Sequence, residues 1–464
     1  MATGSAHSEW VTPESIRTLS EEFSETPELA ETRRRALEAF RALPLEPNPL
    51  YRKYGYFAGV DLQGIDPVGR GPAVALPPAP PGAIRLVHDA SGTRVDIPKE
   101  LESQGIRVVP FPDASVSDPT ARLGTSGEPE FPQDRLSALA WATLNRGYRI
   151  EIPDRFPAPV RIQDVTILSR PREATSVRRS VRIGAQGHVL LSEEVYSASG
   201  RSEDRQRLYA SQIDLDVGAD ARVALLTVHA PDVRTVSVFH RRAELGPRAR
   251  MAWVWSGFGG FRTKVRNRSF LRGNGSNLTD LQTFFGAGDQ AYDSSVDLTH
   301  IGTDTHGQSI SRGVFRDQSR GMSRGLVRIE KDARKTLSFL SEHAMLLSRG
   351  ARSDTIPILE ILCRDVKATH SSSVAPVDPE RVFYLESRGI AESEAVRMIA
   401  EGFLSHVLER SPIGGLRELA YPFLSARWDG RPIEWGEGAY PILPALELAG
   451  TESEPDWRFD AKLR

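Results

Sequence analysis

Three stretches decide how this chain reads: Ile183-Gly184-Ala185-Gln186-Gly187-His188-Val189-Leu190, Val217-Gly218-Ala219-Asp220-Ala221-Arg222-Val223-Ala224 and Leu245-Gly246-Pro247-Arg248-Ala249-Arg250-Met251-Ala252. Each is a hydrophobe, a tight turn, and then a strand whose residues point in and out by turns. Outward from them, short apolar-alternating runs separated by Gly, Asn, Asp and Arg recur from Arg149 to about Val377, and no helical pattern interrupts them. Strands without crossover helices can form a sandwich, a barrel or a solenoid. The recurring turn-plus-strand unit predicts a β-solenoid, in which each coil stacks on its neighbours. The spacing of the units is irregular, so an antiparallel sandwich stays open as the alternative.

The flanks differ. Residues 1–148 read as a helical and mixed region with a proline-rich linker, 149–377 as the solenoid core, and 378–464 as a helical region with a polar tail. Thr12-Pro13 and Thr26-Pro27 each set a capping hydroxyl before a proline at the first helical position. The second of these helices runs from about Pro27 to Leu43, and prolines at 44 and 47 stop it. Pro67 to Pro81 holds six prolines and reads as a linker. Strands are expected within Ile84–Pro110, then a loop from Asp113 to Pro132. A helix from Gln133 to Asn145 is expected to end at Gly147. After the core, Asp378-Pro379 starts a helix through Arg388. A second helix, Ser393 to Glu409, carries Val396, Ile399, Phe403 and Val407 as an apolar stripe.

Composition removes several function classes. The 464 residues carry 59 Lys+Arg against 61 Asp+Glu, so no basic excess points to nucleic acid or an anionic membrane. No apolar run approaches the ~20 residues of a membrane helix. The polar start of the chain shows no signal peptide, and a single cysteine, Cys363, fits a reducing, cytoplasmic setting. One cysteine also excludes an internal disulfide and a cysteine-only metal site made by this chain alone.

Motifs for chemistry mostly fail. A P-loop ends in Gly-Lys-Ser/Thr, and the chain has no Gly-Lys pair, so ATP hydrolysis by this chain is not expected. Gly321-Met322-Ser323-Arg324-Gly325 matches the nucleophile-elbow pattern, but the next segment, Leu326-Val327-Arg328-Ile329, alternates like a strand where the elbow needs a helix. His300 and His306 are an unspecific possible ligand pair.

From Val296 to Leu408 an ordered series of segments stands out. Ser309-Ile310-Ser311-Arg312-Gly313-Val314 precedes Gly325-Leu326-Val327-Arg328-Ile329. Met345-Leu346-Leu347-Ser348-Arg349-Gly350-Ala351 comes next. Leu359-Glu360-Ile361 then leads to Asp365-Val366-Lys367-Ala368-Thr369-His370, and Phe383-Tyr384-Leu385-Glu386-Ser387-Arg388-Gly389-Ile390 closes the series. This series resembles the core of the SufB/SufD family of iron–sulfur cluster assembly proteins. The resemblance implies a mainly β fold: a right-handed parallel β-helix core flanked by helical N- and C-terminal regions. It implies a non-catalytic scaffold that pairs through its β-helix with a SufB-like paralogue or a second copy. It further implies that the chain docks a SufC-like ABC-type ATPase through about residues 378–412, and the ATPase activity is expected in that partner.

Within the family the chain is SufD-like. The cysteine that SufB-like members carry before the Met345-Leu346 segment falls at or near Glu342, where this chain reads Ser341-Glu342-His343-Ala344. Thiolates are the natural cluster ligands, with imidazole able to substitute. The resemblance therefore assigns this chain no tightly bound cofactor of its own. It would meet a transient iron–sulfur cluster, or iron, at the interface with its partner, and His370 is the candidate metal ligand there. Cys363, seven residues earlier, is expected to be buried, inert and on the opposite face of one strand from His370. Glu342 and His343 are weaker ligand candidates. The alternatives are a SufB-like homodimeric scaffold that binds iron or cluster itself, a β-helical polysaccharide-acting enzyme, and a purely structural solenoid adaptor.

Overall fold

The computed structural model describes residues 10–46, 57, 59–112, 134–198, 205–431 and 433. The loop expected at 113–132 and the tail at 452–464 lie outside the described residues. The three turns quoted above are what make the chain coil. Gln186, Asp220 and Arg248 occupy equivalent places in them, each left-handed with φ of 61°, 58° and 56°. The turns stack: the Gln186 amide donates to the Ala219 carbonyl, Asp220 to Pro247 and Arg248 to Asn274. At Gly184 the neighbouring turn comes so close that a Cβ would sit 2.4 Å from the Asp154 nitrogen, so only glycine lets the turns touch.

Between turns the strands alternate between two sheets. The odd sheet holds β1 (Ala83–Asp89), β5 (Val160–Leu168), β7 (His188–Ser197), β9 (Arg222–Ala230), β11 (Arg250–Gly257), β13 (Asn277–Gly286), β15 (His306–Phe315), β17 (Thr336–Leu346) and β19 (Val366–Pro376), with β2 (Gly92–Asp96) beside β1. The even sheet holds β3 (Arg107–Pro110), β4 (Leu144–Ile152), β6 (Ala174–Ile183), β8 (Arg207–Val217), β10 (Thr235–Leu245), β12 (Arg262–Leu271), β14 (Ala291–His300), β16 (Arg320–Ile329) and β18 (Arg352–Ile361). Every pairing is parallel except β1–β2 and β3–β4. The result is a parallel β-solenoid of about 8 turns, the mainly β class expected, with helices on both flanks. Parallel pairing, rather than hairpins, removes the sandwich alternative. The sheets also begin upstream of residue 149: β1–β3 cap the first coil and β4 opens at Leu144.

Apolar side chains fill the interior. One cluster runs along the coils through Val223, Leu225, Leu245, Trp253, Leu278, Leu298 and Leu340, and a second through Tyr209, Phe239, Trp255, Phe284 and Phe315. Each fully buried Val, Leu, Ile or Phe contributes ~1.5–3 kcal/mol. The exposed Arg248–Asp220 pair at 2.7 Å is screened by solvent and adds little, so the interior holds the stack.

The helices cover the outer faces. Helices α1 (Pro13–Glu22), α2 (Pro27–Ala42) and α4 (Arg135–Ala142) pack over the even sheet at Ala174, Leu208, Val236 and Val238, while the short α3 (Lys99–Ser103) buries no side chain. Thr12 and Thr26 cap α1 and α2 as expected, accepting from the amides of Ser15 and Leu29. Gly147 does not end α4. The helix stops at Thr143, and Gly147 lies inside β4. At the other end α5 (Pro379–Glu386) leads to α6 (Glu392–Leu408) and α7 (Leu416–Trp428). The last two pack on the odd sheet's outer face with Leu226, Val254, Phe285 and Val314. The α6 stripe is rotated from the expected one: Ala400, Leu404, Val407 and Leu408 are buried, while Val396, Ile399 and Phe403 lie at its rim.

Candidate functional site

The solenoid's two ends are unlike. The first coil is closed by β1–β3. At the last, β18 and β19 are terminal strands of their sheets, largely half-buried or exposed along their length. Ile361 and Leu362 are 43% exposed and Val374 39%. Parallel coils stack because each strand's backbone groups pair with the next, so the last strands have an outer edge that no strand among the described residues pairs with.

His370 lies on β19 and is exposed. It pairs in register with Leu340, a member of the interior cluster, so it lies on the interior side of the sheet, and no further coil among the described residues covers it. Cys363 is buried at 9% exposure within the same interior cluster, as expected. It does not share a strand with His370, however. It sits in the turn between β18 and β19, so the expectation of opposite faces along one strand fails.

Register brings Glu342 to His370. Glu342 pairs with Ser372 on β19, which places the carboxyl and the imidazole on one face of adjacent strands, two residues out of step. Glu342 is 2% exposed. Ser323 donates to its Oε1 at 2.6 Å, and Oε2 has no hydrogen-bond partner among the described residues. Burial pushes its carboxyl up to about 7 against the lowering effect of the Ser323 hydroxyl. Ser323 and Ser311, the latter Glu342's register partner on β15, line a cavity of about 20 Å³ together with Thr355 and Tyr292, enough for one water.

Glu342 ends a polar row that runs through the solenoid between the two apolar clusters. Asp164 accepts two bonds from Arg179, at 2.6 and 2.9 Å, and Glu193 accepts from Ser211, Thr227 and Arg241. Asn267 and Gln282 donate to Asp280, and Ser294 donates to Gln282. Ser294 pairs in register with Ser323, which reaches Glu342. Arg179 holds Asp164 below the usual carboxylate range despite its burial. Glu342 has no cation beside it among the described residues, and Asp280, which accepts from two side-chain amides, is likewise pushed up by burial, to about 6.

The remaining candidates separate. Ser323 lies mid-strand in β16 rather than on a strand-to-helix elbow, and a Cβ at Gly325 would strike Leu340 at 2.3 Å, so packing explains that glycine. His300 is fully buried with both ring nitrogens engaged, by Thr305 and Ser338. His306 lies half-buried on another strand, so the two are not a ligand pair. His343 faces the outer side, bonded to Ser373 at 2.5 Å and Ser371 at 3.1 Å. Among the described residues no group of three or more His, Cys, Asp or Glu forms a metal site. In the sequence, Glu342 is a weaker ligand candidate, the residue that stands where a cysteine is missing. Its neighbourhood with His370 is a register effect across 28 residues that no local pattern carries.

The family described as "SUF system FeS cluster assembly, SufBD core domain" matches residues 167–403, from the end of β5 into α6. The iron–sulfur cluster assembly protein SufD of Bacillus subtilis is 26% identical over 71% of this chain and 76% of its own length. A SufBD family protein of Staphylococcus saprophyticus is 26% identical over 68% of this chain and 67% of its own length. One from Mycobacterium tuberculosis is 28% identical over 61% of this chain, which spans only 33% of that longer protein. These likenesses are to assembly proteins, not to polysaccharide-acting enzymes.

Proposed function

Because the chain belongs to the SufBD family of iron–sulfur cluster assembly proteins, we propose that it acts as a SufD-like scaffold subunit whose open solenoid end pairs with a SufB-like chain. The observation that carries this reading is the last coil, uncapped among the described residues, with His370 and Glu342 on its interior face and its one cysteine buried in the turn before β19. A cluster needs several thiolates, and this end offers an imidazole and a carboxyl. The partner then supplies the sulfur ligands, and this chain supplies His370. Iron or the nascent cluster is the cargo rather than a resident cofactor.

The ATPase docks on the C-terminal helices in this reading. Phe383 at 71% exposure, Tyr384 at 57% and Met398 at 46% are large apolar side chains left in solvent on α5 and α6, as docking anchors are. Truncation after Val377 would strip the odd sheet's apolar face, because α6 and α7 cover it. Point changes at Phe383 and Tyr384 leave that packing intact. The deciding experiment is co-expression with a SufB-like chain and a SufC-like ATPase. His370→Ala is expected to preserve the complex and lower its cluster yield, and Phe383→Ala with Tyr384→Ala to release the ATPase alone. Wild-type cluster yield in His370→Ala would end the interface-ligand assignment.

The homodimeric reading rests on a specific observation, that Glu342 and His370 lie together, so a two-fold pair would gather two of each. Iron retained by the purified chain alone, in a two-chain species, favours that arrangement; iron appearing only with the SufB-like partner favours the first.

A further inference from the structure

At the corner between the odd sheet's outer face and the end of α6, two arginines and two histidines gather. Arg312 on β15 and His343 on β17 are register partners, hence side by side. Above them the guanidinium of Arg312 lies over the Phe403 ring at 4.6 Å and donates to the Phe403 carbonyl at 3.2 Å. Phe403 and His406 lie three apart on α6, hence on one side, and Arg410 follows in the turn just past its end, its amide bonded to the Val407 carbonyl at 3.2 Å. Burial lowers the proton affinity of His406, the charges of Arg312 and Arg410 lower it further and Glu409 opposes them, which places these groups within electrostatic reach of one another.

Compensation at Arg312 is missing. It makes no ion pair among the described residues, and its Nε is buried without a hydrogen-bond partner. Glu409, the acid at this end of α6, is engaged by Arg417 at 3.2 Å. The C-terminal end of α6 contributes about half a negative charge, less than the Arg312 guanidinium carries. A guanidinium with one carbonyl partner and no carboxylate beside it keeps donors for an anion that arrives from outside.

We propose that this corner binds an oxyanion of the phosphate class, held by Arg312 and Arg410 with His406 and His343 beside them. A tetrahedral dianion accepts from several donors at once and matches forked guanidinium groups, which one carboxylate does less well. The site lies on the opposite sheet face from Glu342 and His370, so it stands or falls independently of the assembly reading.

The test uses the full chain without partners. Inorganic phosphate is titrated against sodium chloride of equal ionic strength, followed by calorimetry and melting temperature. Saturable phosphate binding is expected, weakened about tenfold or more by Arg312→Gln or Arg410→Gln, as the loss of a charge-assisted bond requires, and unchanged by Arg248→Gln on the distant turn column. Arg410→Gln, at the rim, carries the test if Arg312→Gln folds poorly. ADP titrated in parallel identifies the source: binding lost in Arg410→Gln assigns a nucleotide phosphate, and binding of phosphate without ADP assigns the free ion, both in support. Phosphate acting no better than chloride, or binding unaltered in both variants, overturns the proposal.

Discussion

A buried carboxyl without a cation is the most informative single group in this protein. Glu342 keeps its proton up to about 7 when folded, against 4.5 for the unperturbed group. Between those values the folded chain holds a proton that the unfolded chain has lost. Stability conferred by this group is therefore greatest at low pH and falls as pH rises through that window, by up to about 3 kcal/mol at 1.36 kcal/mol per unit. Glu342→Gln should remove that slope, so the variant melts higher than the parent at pH 8 and no higher at pH 4.5. Parallel pH profiles for the two would refute the protonated state. The contrasting case is Arg179, fully buried and bonded twice to Asp164. Arg179→Met should cost about 3–5 kcal/mol, because it takes the guanidinium from the buried Asp164 and leaves the His88 ring at 3.5 Å in its place; a shift in urea midpoint under half that size would mean that water reaches the carboxylate. Neither role is legible in the sequence. A strand buried on both faces shows no polar alternation, so an interior charge looks like a surface one.

At the level of elements, local signals agree with the structure, and features that depend on packing escape them. The caps of α1 and α2 are set by a hydroxyl, a proline and an open amide within four residues. Thr12→Ala, which removes the Ser15 amide's acceptor at 3.1 Å, should loosen α1 by about 1 kcal/mol. Hydrogen exchange would register this in α1 while β5–β15 stay unchanged; equal loosening of the solenoid would show that α1 is part of its cooperative unit. Helix α7 is hidden in the sequence because Gly414-Gly415 precedes it and Pro422 lies within it, both poor helix signals. Its helicity is a tertiary result: Leu416, Ala420, Phe423 and Leu424 bury against the odd sheet, and Phe423 stacks on Phe258 with ring centres 5.5 Å apart. The rotated stripe of α6 has the same origin, since sequence spacing cannot say which side the sheet will take.

For the whole molecule, coil recurrence makes the solenoid legible, whereas the difference between its two ends appears only when the strands are placed. In a stack of coils each interior turn is supported from both sides and a terminal turn from one. Here β1–β3 close the first coil, while β18 and β19 end their sheets with Ile361, Leu362 and Val374 in solvent. Exchange in the isolated chain should therefore be slowest in β9–β13, around the buried Trp253 and Trp255, and fastest among the strands in β18 and β19. If the open end is where the chain pairs, adding the SufB-like partner should slow β18 and β19 selectively, with a smaller effect on β15–β17 and none on β5–β7. Val374→Lys should abolish that protection without altering the exchange of β9–β13, because Val374 lies on the terminal strand and contributes nothing to the central coils. Protection that appears at β1–β3 instead, or β18 and β19 as slow as β11 in the free chain, would place the interface elsewhere and leave His370 without a partner to face.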